Sequence, residues 1–305
     1  MERSDLKIKI VALLEVLFAV VVWGASFIAT KVALRDVTPV TVVWLRFAVG
    51  VVILGIAVAA RRQFAPPTRN EWGYFALLGF LGVAFHQWLQ SNGLLTATAI
   101  TSAWIVSTTP IFMALLGLLV LKEGLGWLRA AGIFLATAGM LLVVSRGNLA
   151  SLVSAGFGTP GDTLILISAV NWAVFSILSR RGLKTHPAAR MMFYVMAFGW
   201  LFTTVLFFGT TRLDEVARLT LPGWTAVAFL GIFCSGLAYI AWYDALQALP
   251  AARVGAFLYI EPLVTMVTAA VLLREKVTLA AVAGGGIILV GVWLVNRPDR
   301  RGPDG

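Results

Sequence analysis

The chain has 305 residues, 60% of them apolar and only 12% charged, with a formal net charge of +10. A soluble domain is roughly 45–50% apolar and about 25% charged, so water-facing domains, disorder, a collagen repeat and a disulfide scaffold are excluded. What remains is an all-α polytopic membrane protein that buries apolar surface in lipid as well as inside itself.

Ten apolar runs are long enough to span a bilayer, at about 10–30, 40–60, 73–95, 98–121, 127–145, 162–180, 188–209, 222–246, 252–273 and 278–296. They are continuously apolar, so they read as helices and not as alternating barrel strands. The first run is too long for a cleavable leader and is expected to stay as the first span. It carries Trp23, Ser26 and Thr30 on one face. The second opens near Pro39 and holds Arg46, the one basic residue left at lipid depth. The third places Gly79, Gly82, His86, Gln90 and Gly93 at i, i+3, i+7, i+11 and i+14, a single face that is polar near its middle. Gln87 and Asn92 point elsewhere. The fourth sets Trp104, Ser107 and Thr108 mostly on one side and contains Pro110. The fifth carries Gly132 and Gly139, spaced for close helix packing.

A Gly- and Ser-rich break from Arg146 to Gly161 divides the chain into 1–150 and 151–305. Beyond it the sixth run holds Trp172, Ser176 and Ser179, the eighth Cys234, Tyr239 and Trp242, the ninth Tyr259, Glu261 and Pro262, and the tenth Gly284 and Gly291. Trp72, Trp127 and Trp224 sit at run ends, where interfacial anchors belong.

With the N-terminus in the cytoplasm, sixteen Lys and Arg fall on inner segments and seven on outer ones. That asymmetry places both termini inside. It also accounts for most of the positive charge as topology, so no nucleic-acid partner is needed.

The halves repeat. A shift of 152 carries Leu78-Gly79 onto Leu230-Gly231, Pro110 onto Pro262, Glu123 onto Glu275, and Gly132 and Gly139 onto Gly284 and Gly291. A shift of 149 carries Trp23 onto Trp172 and Lys31 onto Arg180. Five spans per half is an odd number, so the second half must lie inverted relative to the first. That architecture belongs to secondary transporters, with the substrate near the midplane between repeats.

These residues resemble the EamA-type family of the drug/metabolite transporter superfamily. The likeness rests on Trp23-Gly24-Ala25-Ser26-Phe27 with Lys31, on Pro39 and Trp44-Leu45-Arg46-Phe47, and on Pro110 and Pro262 leading to Leu121-Lys122-Glu123 and Leu273-Arg274-Glu275. Within that superfamily the chain looks most like bacterial inner-membrane exporters of amino acids, aromatic ones included. The resemblance implies ten helices around a central cavity lined mainly by helices 1, 3, 4, 6, 8 and 9, and no ATPase subunit. One departure stands out: Asn171-Trp172-Ala173-Val174 replaces the Trp-Gly signature in the second half.

Polar groups at lipid depth are costly and mark function by default. The residues expected to face a substrate are His86, Gln90, Trp104, Ser107, Thr108, Trp23, Ser26, Trp172, Ser176, Tyr239, Trp242, Tyr259 and Glu261, with Pro110 and Pro262 as hinges. Each has a plainer reading as packing. Arg46 reads first as a latch between helices, with Glu261 as one partner, and second as a binder of a carboxylate. Glu261 could instead couple protons or hold a substrate ammonium.

The leading expectation is alternating-access export of small metabolites, amino acids foremost. Efflux of cationic drugs is the main alternative, since aromatic walls and Glu261 suit a cation. A channel ranks lower, as does an intramembrane enzyme, for which no HExxH or GxSxG motif is present; with no P-loop, direct ATP coupling is not expected. No catalytic residue, metal or cofactor is expected, and monomer and homodimer both stay open.

Overall fold

The protein was analysed as a computed structural model that describes residues 2–121, 126–154, 156–249 and 251–296. Lys122 and the repeat marker Glu123, the break at Pro250, and Arg297, Arg300 and Arg301 lie outside the described residues. Among the described residues all regular structure is helical.

The first half runs α1 (Glu2–Ala33), α2 (Pro39–Ala60), α3 (Arg69–Gly79), a π-helical stretch Phe80–Phe85 and α4 (His86–Gly93). It continues with α5 (Ala99–Val106), α6 (Thr109–Leu121) and α7 (Trp127–Val144). After the short α8 (Ala150–Ser154) come α9 (Pro160–Leu183), α10 (Ala188–Thr210), a 3₁₀ turn Leu213–Arg218, α11 (Leu221–Phe229) and a second π stretch, Leu230–Leu237. The chain ends through α12 (Ala238–Ala248), α13 (Ala251–Ala256), a 3₁₀ turn Phe257–Ile260, α14 (Glu261–Thr268), a π stretch Ala269–Leu273 and α15 (Leu279–Val295). Helix starts follow local chemistry. Thr98, Thr159, Thr220 and Thr278 each accept from the amide three residues on, and Pro39, Pro160 and Pro222 occupy first turns.

Eight stretches among the described residues are long and apolar enough to cross a bilayer: Ile8–Ala33, Pro39–Ala60, Ala99–Leu116, Trp127–Val144, Pro160–Leu183, Ala188–Thr210, Leu221–Ala248 and Arg253–Leu273. Two of the ten expected runs fall short for physical reasons. Leu279–Val295 is apolar but has 17 residues, about 26 Å at helical rise against a core of about 30 Å. Arg69–Gly93 is helical throughout, yet His86, Gln87, Gln90, Ser91 and Asn92 crowd its second half and lower its hydropathy.

The expected fourth helix is two. Pro110, second residue of α6, has no N–H, so the Val106 carbonyl loses its donor. The Thr109 hydroxyl replaces it at 2.6 Å. Ser107 and Thr108 cover the neighbouring carbonyls of Ala103 and Ile105 at 2.8 and 2.6 Å. Three consecutive hydroxyls thus satisfy the backbone where the proline opens it. Pro262 likewise sits in the first turn of α14, directly after a 3₁₀ turn.

Packing between the halves is reciprocal. α2 packs on α10, and α7 packs along α15. α1 lies against α11, α12 and α14, while α9 lies against α4, α5 and α6. The equivalence reaches individual atoms. A Cβ on Gly79 would meet the Val195 carbonyl at 2.5 Å and Phe198 Cβ at 2.9 Å. A Cβ on Gly231 would meet the Arg46 carbonyl at 3.2 Å and Val49 Cβ at 2.7 Å. The 149-residue shift carries Arg46 and Val49 onto Val195 and Phe198, so one contact is built twice.

Carboxylates tie loop ends to helix starts. Buried Glu215 accepts from the Thr38 amide and from the Thr41 hydroxyl at 2.7 Å, at the head of α2. Asp36 accepts from the Thr220 amide and hydroxyl at 2.9 and 2.6 Å, at the head of α11. Trp72, Trp127 and Trp224 are exposed, as anchors require.

Candidate functional site

Two of the three π stretches, Phe80–Phe85 and Leu230–Leu237, overlap under the 152-residue shift. A widened turn disturbs the i→i−4 ladder, and such turns collect at functional positions. In each, a carbonyl accepts a side chain from the other half. Trp23 Nε1 donates to the Cys234 carbonyl at 3.0 Å, and Asn171 Nδ2 donates to the Leu81 carbonyl at 2.7 Å. This explains the Asn171-Trp172 departure. In the first half the indole N–H is spent on the π turn. In the second, Asn171 takes that task, and the Trp172 indole N–H makes no hydrogen bond among the described residues.

Trp172 instead packs against both His86 and Phe175, with ring centroids 4.7 Å from each and ring planes tilted by 36° and 34°. His86 is buried, and its Nδ1 lies 3.2 Å from the Ser168 carbonyl. A carbonyl only accepts, so Nδ1 carries the proton and Nε2 keeps its lone pair free to accept from a ligand. Trp23, across the bundle, meets Tyr239 at 5.7 Å and Trp242 at 5.2 Å. Trp23, Trp172 and Tyr239 all pack on one cluster with Phe47 and Phe175.

Arg46, 5% exposed, is the eighth of the 22 residues of α2. Its Nε donates to Ser235 Oγ and its Nη1 to Gln87 Oε1, both at 3.1 Å, and its guanidinium lies 5.0 Å from the Phe47 ring centroid. His86, Cys234 and Tyr239 are within its electrostatic reach. Glu261 opens α14 beside α1, its carbonyl 2.8 Å from where a Cβ on Gly24 would stand. The Glu261 carboxylate makes no hydrogen bond or ion pair among the described residues, so the conceivable latch to Arg46 is not formed.

Other expected residues sit apart from this group. Trp104 is 1% exposed and packs against Gly285 of α15, where a Cβ would clash with the indole. Its N–H has no partner among the described residues. Ser107, Thr108 and Ser176 spend their hydroxyls on backbone carbonyls. Tyr259 accepts from Asn296 Nδ2 at 2.6 Å, toward the end of α15. Gln90 and Ser26 are half-buried and make no side-chain hydrogen bond among the described residues. Gln87 and Asn171 emerge as site residues that face periodicity did not select. A polar side chain one residue from His86 and another beside Trp172 were the available signals.

At one end of the bundle, a cavity of about 350 Å³ is lined by Lys31, Leu34, Arg35, Leu94, Leu95, Leu273 and Glu275. Glu275 closes it. Its carboxylate accepts from the Ala99 and Ile100 amides at 2.9 and 3.1 Å and pairs with Lys31 at 3.4 Å. Among the described residues no group of three or more His, Cys, Asp and Glu could hold a metal.

A family model for EamA-like transporters matches residues 10–145 and 159–297. The chain belongs to the EamA-like transporter family. It is therefore a membrane-embedded, multi-span transporter of small molecules. A relative from Archaeoglobus fulgidus, described as an uncharacterized transporter, is 30% identical to this EamA-like chain over 275 residues, covering 90% of it and 93% of the relative. A probable terminal-alkyne amino-acid exporter of Streptantibioticus cattleyicolor is 26% identical over 278 residues, covering 91% of each chain. A solved crystal structure shares the fold at 21% identity, with a TM-score of 0.66 over 93% of this chain and 96% of that one.

Proposed function

We propose that this transporter exports amino acids, aromatic ones included, across the bacterial inner membrane by alternating access. In this reading ten helices form two inverted five-helix repeats, 1–150 and 151–305, with both termini cytoplasmic. The reciprocal packing of the halves supports the repeat. The observation that carries the substrate class is the linked set of rings Trp172, His86, Trp23, Tyr239 and Trp242, whose cluster includes Phe47, the ring under the Arg46 guanidinium: flat apolar faces near fixed polar atoms suit a small molecule with an aromatic and a charged end. The relative named as a probable amino-acid exporter points the same way. Pro110 and Pro262, each starting a helix after a break, are the hinges.

Counterflow in proteoliposomes tests the reading. Liposomes preloaded with tryptophan or phenylalanine should accumulate the labelled amino acid well above empty liposomes, and saturably. Equilibration no faster than in empty liposomes overturns it.

The unpartnered Glu261 carboxylate favours a second reading, efflux of organic cations. Glu261→Gln should abolish uptake of a labelled quaternary ammonium compound if that reading holds. Cation uptake that is absent from the wild type removes it.

A further inference from the structure

We propose that the Arg46 guanidinium is the carboxylate anchor of the substrate site. This rests on the amino-acid export reading and names the residue that would enforce it. A guanidinium 5% exposed and two turns inside a membrane helix ordinarily meets an acid, because a buried cation with only neutral partners leaves its charge uncompensated. Here both partners are neutral: the Ser235 hydroxyl and the Gln87 amide. No ion pair to Arg46 forms among the described residues, and Glu261 does not turn to it.

The geometry also leaves the useful part of the group free. Nε and Nη1 are held at 3.1 Å each, one from the π stretch of the second half and one from α4 of the first. Nη2 makes no hydrogen bond among the described residues. Two fixed donors orient the plane, and the remaining nitrogen can meet an incoming carboxylate. The surroundings fit the rest of such a ligand. Trp23, Tyr239 and Trp172 pack on the same cluster as Phe47, over whose ring Arg46 lies. Ser235 belongs to the π stretch Leu230–Leu237 and Gln87 follows the π stretch Phe80–Phe85, so the anchor is held at widened turns of the kind that collect at functional positions.

A plain latch between helices predicts the same two hydrogen bonds, and transport chemistry separates the two roles. The experiment is counterflow in proteoliposomes with wild type, Arg46→Gln and Arg46→Lys. The probes are phenylalanine and tryptophan, their amides, and phenethylamine and tryptamine, which lack the carboxylate. Wild type should move the amino acids and discriminate against amides and amines. Arg46→Gln should lose amino-acid flux on the order of 10–100-fold, the worth of a hydrogen bond to a charged group. Arg46→Lys, which keeps the charge, should retain more flux than the glutamine variant. Residual amine flux should be the same in all three.

Equal loss of amino-acid and amine flux in a monodisperse, helical Arg46→Gln protein overturns the anchor and leaves a latch. Wild type that carries amides as well as amino acids also overturns it, without any variant, while the export reading stands. Wild type that moves none of the probes overturns both.

Discussion

Gly139→Leu is expected to cost about 2–3 kcal/mol of stability, the penalty of overpacking a tight contact. On the measured spread for large domains this lowers the melting temperature in detergent by roughly 5–10 °C. The reason is the seam between α7 and α15. A Cβ on Gly139 would lie 2.6 Å from the Gly284 carbonyl, and one on Gly132 would lie 2.6 Å from the Gly291 carbonyl. The reverse contacts, from Gly284 and Gly291, are 2.7 Å each. The obstacles are backbone oxygens, which no rotamer change can move aside. Between apolar helices in lipid there is little hydrophobic drive, so close backbone approach is the source of attraction. Gly286 supplies the control. It lies on the same helix as Gly284, with nothing within 4 Å of where its Cβ would stand. Gly286→Leu should therefore leave the melting temperature within about 1 °C, as for a surface change. Equal effects of the two substitutions would show that the seam is not the constraint.

Glu275→Gln is expected to loosen the end of the bundle that carries Lys31. The carboxylate joins three places at once: the amides that open α5, the Lys31 ammonium on α1, and its own position after the π stretch Ala269–Leu273. Lys31 also donates to the Ala97 carbonyl at 2.7 Å, which holds it in place. Glutamine keeps one acceptor for the amides and loses the charge. Charge-assisted hydrogen bonds contribute about 1.5–3 kcal/mol, so the arrangement that joins α1, α5 and Glu275 should weaken by on the order of 10–100-fold. Leu94, 3% exposed and lining the cavity, reports this directly. With Cys234→Ser as background, maleimide should label Leu94→Cys at least about tenfold faster when Glu275 is also replaced by Gln, tracking that shift. An unchanged labelling rate would mean that Glu275 merely caps α5.

Much of this was legible in the sequence because it depends on short-range pattern. Continuous apolar runs, the Pro-to-Glu spacing and the matched glycines disclosed the helices and the duplication. The Asn171-Trp172 departure was visible as an asymmetry, but its meaning was not: it needs the Leu81 carbonyl, 90 residues away, to give Asn171 its task. Glu215 escaped notice for the same reason, and Glu275 was visible as a repeat marker but not as the cap of α5. Their partners stand 174 to 177 positions distant, and an acid in a loop carries no local sign of the helix it caps. The π stretches have no periodicity of their own. Trp104 shows the opposite difficulty. Its place on a partly polar face pointed to a cavity, while the fit of its indole against Gly285 depends on a helix at the far end of the chain.

If the Trp172 and His86 side of the Arg46 cluster touches substrate while the Trp23 side holds the fold, paired Phe substitutions will separate the two. Phenylalanine keeps an aromatic ring and removes the indole N–H. Tryptophan counterflow and melting temperature would be measured for both variants. Trp172→Phe should keep wild-type stability and lose about tenfold in flux, the worth of one hydrogen bond to substrate. Trp23→Phe, which leaves the Cys234 carbonyl without its donor, should lose stability by about 1–2 kcal/mol. Full counterflow by Trp172→Phe, or a stability loss confined to Trp172→Phe, would contradict this division of roles.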